Sequence, residues 1–168
     1  MLLGETETMK KNQKGFSLIE LLIVVAIILI IAAIAIPNLL RAKIAANEAS
    51  AVGSTRTIVT AEISYSNSFQ TGPTLLTNLQ TPAGGCPGTG ATAAAACLID
   101  SNLAAGTKSG YTFVWTSDGN TPSVGYSITG TPVTVGTTGQ RMFCSDQSGV
   151  IRFDPSGAGC TAASLALQ

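Results

Sequence analysis

The chain contains no histidine. Imidazole general-base catalysis and histidine-ligated metal sites are therefore excluded. Charge is scarce as well: nine Lys and Arg balance nine Asp and Glu in 168 residues, 11% charged in all. No basic run long enough to track a nucleic-acid backbone is visible, so no nucleic-acid partner is indicated. Aromatics number nine, including a single tryptophan, and most fall where strands are expected, which gives no stacking platform for single strands. No nucleophile and base pair stands out, so the chain reads as a non-enzyme that needs no cofactor. Asp118, Asp146 and Asp154 sit in or beside turn sequences, where aspartate is favoured for local hydrogen bonds. The spacing of Asp146 and Asp154 fits no calcium loop, and Gly84 to Gly90 lacks the Lys-Ser/Thr ending of a phosphate loop. Abundant Gly, Thr, Ser and Ala suit a small, loop-rich β domain outside the cytoplasm.

What the chain does have is one long apolar run. Every residue from Leu21 to Ile36 is apolar, and the 21 residues from Phe16 to Ile36 are interrupted only by Ser17 and Glu20. At ~1.5 Å per residue such a helix spans the roughly 30 Å hydrocarbon core of a bilayer. Lys10, Lys11 and Lys14 precede it and are expected to stay on the cytoplasmic side. An ordinary signal peptide is shorter, and a plain anchor leaves Glu20 unexplained, because an ionisable group in an apolar span normally has a partner. Pro37 is expected to kink the helix rather than end it. Beyond it Ile44, Ala51 or Val52, Val59 and Ile63 recur at helical spacing, so that residues 38–69 read as an amphipathic second half, interrupted by polar groups that include Glu48 and Glu62.

Thr74 to Leu79 allows a helical turn, and the stretch ending in CLIDSNLA allows a second short helix capped by Asp100 or Ser101. Tyr111, Phe113 and Trp115 alternate with Thr112, Val114 and Thr116, the pattern of a half-buried strand, and Asp118-Gly119 signals a turn. Val124 to Thr129 reads as the next strand. Thr131 to Val135 extends it or forms an edge piece, with Pro132 favouring an edge. Arg141 to Cys144 and Val150 to Phe153 read as a hairpin. The expected fold is α+β, a long N-terminal helix packed on an antiparallel sheet of three to four strands.

Cys86, Cys97, Cys144 and Cys160 all follow the apolar run. An even count beyond a translocated anchor suggests disulfides, and four cysteines allow three pairings. Cys86–Cys97 with Cys144–Cys160 closes the two shortest local loops and is favoured. The spacings are not those of a zinc site.

The segment KGFSLIELLIVVAIILIIAAIAIP, within Lys10 to Arg41, resembles the N-terminal signal of type IV pilins and type II secretion pseudopilins. The resemblance implies that a prepilin peptidase cuts after Gly15 and methylates the amine of Phe16. It implies that Glu20 and Pro37 hold the family's assembly positions. It divides the chain into a leader, residues 1–15, a membrane and filament-core helix, 16–37, the amphipathic half, 38–69, and a globular part, 70–168, with the pilin fold and a disulfide-closed C-terminal loop. MKKNQKG, beginning at Met9, has the look of the usual pilin leader, which makes Met9 an alternative start to Met1. The implied function is a pilus subunit. It rests in the inner membrane, then polymerises with copies of itself through an assembly platform into a surface filament. A minor pilin or pseudopilin is the alternative, and a membrane-anchored binding module a weaker one.

Overall fold

The computed structural model describes residues 15–82, 84–86, 88, 90–120 and 125–167. The expected leader lies outside them apart from Gly15, as do parts of the Gly84 to Gly90 loop and residue 124 of the expected second strand. The chain divides into two compact units, Met1–Leu39 and Leu40–Gln168.

Helix α1, Leu18–Phe69, supplies the described helix of the first unit and opens the second. Pro37 lies inside it, and helical residues continue on both sides. It ends at Gln70, which takes a left-handed φ of 56° just before Gly72 and Pro73. Its C-terminal half is rich in Ser and Thr, poor helix formers because their hydroxyls compete for backbone groups. Here Thr55, Thr57, Thr60, Ser64, Ser66 and Ser68 each donate to the carbonyl four residues back, so the hydroxyls are satisfied without breaking the helix.

In the second unit, Glu48, Ala51, Thr55, Ile58, Glu62 and Tyr65 follow one another at three- and four-residue steps and are buried. Of the residues expected on this face, Ala51 and Val59 are buried and Ile44 and Val52 half-buried. Ile63 is 55% exposed, and Glu48 and Glu62 lie inside rather than interrupting an apolar stripe. After α1 come a 3-10 turn, Leu76–Leu79, and a four-residue helix α2, Ser101–Ala104, whose N-cap is Asp100; its carboxylate accepts from the Leu103 N–H at 2.9 Å.

The sheet has six strands rather than three to four: β1 (Thr107–Lys108), β2 (Tyr111–Ser117), β3 (Tyr126–Pro132), β4 (Met142–Asp146), β5 (Arg152–Asp154) and β6 (Leu165–Ala166). They pair antiparallel in chain order, a meander. The two additional strands are pairs of residues, too short to carry an alternation signal. The two pieces expected around Thr131 are one strand, β3, and it is internal. Pro132 is tolerated there because pairing with β4 stops at Gly130, so no ladder donor is required of it from that side.

The inward residues of β2, β3 and β4 (Tyr111, Phe113, Ile128 and Phe143) form one core with Ala51, Ile58, Ala61 and Tyr65 of α1 and with Leu79, Ile99 and Leu103. Two glycines make room for rings. A Cβ at Gly130 would stand 3.0 Å from the Phe113 ring, and one at Gly139 would overlap the Tyr111 hydroxyl, which donates to the Arg141 carbonyl at 2.8 Å.

Candidate functional site

In the first unit, residues 15–31 are all exposed, and Phe16 is 83% exposed. They head a helix, α1, that is long and apolar enough to cross a membrane. Hydrocarbon side chains left exposed in this way call for lipid or another protein. Ser17 directly precedes α1, and the Ser17 carbonyl accepts from the Leu21 N–H at 3.2 Å. Glu20 reaches back in turn: its Oε2 accepts from the Ser17 backbone N–H at 3.0 Å. This is the returning half of a capping box. A carboxylate in the first helical turn also faces the positive end of the helix dipole. The partner of Glu20 within the chain is thus the helix start itself, and the bond engages one carboxylate oxygen. The Ser17-x-x-Glu20 spacing, directly ahead of the apolar run, is the sequence signal that could have shown this box.

In the second unit a polar clamp fixes the helix to the chain entering β4. Glu48 Oε1 accepts from the N–H groups of Gln140 at 2.8 Å and Arg141 at 3.0 Å. Glu48 Oε2 accepts from Arg141 Nε at 2.8 Å and pairs with a terminal guanidinium nitrogen at 2.8 Å. Burial pushes the Glu48 carboxyl up, but the two N–H donors and the guanidinium outweigh it and hold the group below its ordinary range. The Arg141 guanidinium lies 5.5 Å from the ring centres of both Phe143 and Phe153. One residue earlier in the helix, Asn47 Nδ2 donates to the Thr138 carbonyl at 2.8 Å.

Cys86 is bonded to Cys97 and Cys144 to Cys160, with Cα separations of 5.9 and 5.7 Å. The second bridge ties β4 to the chain before β6. The three turn aspartates are occupied locally. Asp146 accepts from the Ser148 N–H at 2.8 Å, Asp154 from the N–H groups of Ala158 and Gly159, and Asp118 from that of Asn120. Among the described residues no group of three acidic or cysteine side chains is placed to hold a metal ion.

Residues 10–36 match the family model described as the prokaryotic N-terminal methylation motif. The chain is also similar to the type IV wide pilus major component PilA4 of Thermus thermophilus, with 52% identity over 60 residues. That match covers 36% of this chain and 40% of the relative, so the similarity spans less than half of either protein. No solved structure matches the chain. The motif and the relative support a type IV pilin, and the long apolar helix with its antiparallel sheet is consistent with the α+β pilin fold.

Proposed function

We propose that this chain is a structural subunit of a type IV pilus, with no catalytic role of its own. Its processing is cleavage after Gly15 and methylation of the amine of Phe16 by a prepilin peptidase. Its domains are the leader, 1–15, the membrane and filament-core helix, 16–37, the amphipathic half, 38–69, and the globular part, 70–168. Before assembly the 16–37 helix rests in the inner membrane. On assembly by the inner-membrane platform, its uncovered apolar surface exchanges lipid for the same helix of neighbouring copies, and the filament reaches the cell surface. The observation that carries this reading is an exposed apolar helix headed by Glu20 inside a matched methylation motif.

Glu20 supplies register in this scheme. Cleavage makes Phe16 a cationic terminus four residues before a carboxylate. Either charge alone in hydrocarbon costs about 2.5–3.5 kcal/mol at mid-depth on insertion scales. A contact between Glu20 of one subunit and the Phe16 amine of the next offsets both charges at once. Only one axial offset brings them together, so the contact specifies stacking as well as adhesion. Pro37 lacks a backbone donor and leaves the helix before it, from about Ala32, one hydrogen bond weaker, which suits a segment that must repack in a filament.

The test is Glu20→Val. The expected result is a chain still cleaved after Gly15, by mass, but absent from sheared filaments. Wild-type filament yield from that variant would overturn the pairing mechanism.

A further inference from the structure

Glu62 has no place in the assembly scheme. It is 3% exposed, and among the described residues neither its Oε1 nor the nearby indole N–H of Trp115 completes a well-formed hydrogen bond. Both line a half-open cavity of about 150 Å³, together with Ser66, Tyr126 and Gln147. A cavity near that volume admits a ligand about the size of benzene. The groups facing Glu62 are Trp115 from β2, Tyr126 from β3 and Tyr65 from its own helix. Asp146, at the end of β4, adds a second negative charge that acts on Tyr126, and Arg152 lies against Asp146 rather than Glu62. Burial pushes the Glu62 carboxyl up to about 7, and the nearby Trp115 N–H draws it back only in part. No cation contributes to that balance among the described residues. The contrast with Glu48 is direct: one buried carboxylate has a guanidinium and two N–H donors, and the other has none of them.

A buried carboxylate without a counter-ion, walled by a tryptophan and a tyrosine, is complementary to a weakly hydrated organic cation. The carboxylate neutralises the charge, and the two rings offer apolar surface to the carbon atoms around it. We propose that Glu62, Trp115 and Tyr126 form a binding site for an organic ammonium group of about four to five heavy atoms. The site is independent of filament assembly, since none of its residues belongs to the apolar segment.

Trp115 is the single tryptophan of the chain, so its emission reads the site directly. The full-length chain, held in a detergent without an ammonium headgroup, is titrated with tetramethylammonium chloride and, separately, with butylammonium chloride. Sodium chloride at equal ionic strength and tert-butanol serve as charged and neutral controls. The expected result is a saturable change in Trp115 emission with the ammonium salts alone. Preference between the two salts assigns a quaternary or a primary amine. Affinity is expected to rise about tenfold from about pH 6 to about pH 8, as Glu62 ionises around its value of about 7. Glu62→Gln is expected to abolish the response. No saturable change, an equal change with either control, or a response that does not grow with pH in the wild-type chain would overturn the proposal. The pH series decides the matter even if Glu62→Gln fails to fold.

Discussion

Glu48→Ala removes the acceptor for two backbone N–H groups and the counter-ion of Arg141 in one step. Four contacts of 2.8–3.0 Å disappear. Breaking a fully buried pair from one side costs about 3–5 kcal/mol, because the remaining charge is stranded. The Arg141 side chain is 38% exposed, so water recovers part of that loss. The two N–H groups are less well served, and each unsatisfied buried donor costs about 1–3 kcal/mol. About 3 kcal/mol is the expected total, a large fraction of the 5–15 kcal/mol that holds a domain together. With a slope of about 2 kcal/mol per M, the urea midpoint falls by about 1.5 M. Trp115 emission follows unfolding of the full chain in detergent. The Glu48 carboxyl is held below its ordinary range, so its contribution is complete above the unfolded value of about 4.3 and is lost as pH falls through the folded one. The difference between wild type and Glu48→Ala should therefore shrink on acidification below about pH 4. A loss under about 0.5 kcal/mol, the size typical of an exposed ion pair, would refute the reasoning.

Glu62 gives the opposite pH dependence. Its folded value of about 7 lies above the unfolded one, so the unfolded chain releases its proton first, and stability falls as pH rises from about 4.5 to about 7. Glu62→Gln should flatten that slope, by about 3 kcal/mol across the window, in urea titrations at several pH values; an unchanged slope would contradict the assignment. Gly139→Ala places a Cβ on the Tyr111 ring, which is fully buried and held by its bond to the Arg141 carbonyl. It should cost about 1–3 kcal/mol by overpacking, seen as a lower thermal midpoint. A midpoint equal to wild type would show that the ring moves aside freely.

The parts of the fold legible in the sequence are those whose signal is local. The apolar run needs only composition and length. Strand β2 announces itself because seven residues alternate cleanly, and Asp100 caps α2 as a capping residue should. Strands β1 and β6 escape because two residues have no period. The buried face of α1 is only partly legible, because Glu48 and Glu62 count as polar in any periodicity. The cost of burying Glu48 is offset by Arg141, 93 residues later, and by the N–H groups beside it, and nothing local to Glu48 foretells those partners. The site around Glu62 is illegible for the same reason: Trp115 and Tyr126 look like strand residues until the sheet brings them against the helix. In the N-terminal segment the residues themselves carry the pattern, and the structure adds the bond from Ser17 to Glu20.

The proposed filament is built through the processed N-terminus of this chain. Electron microscopy and intact mass of filaments sheared from the source cells test it most directly. The expected result is filaments whose main component begins at N-methylated Phe16, lighter by about two mass units per disulfide than the reduced chain. A processed chain found only in traces would contradict a main-subunit role and leave a minor pilin or pseudopilin. An uncleaved chain confined to the membrane would contradict assembly altogether.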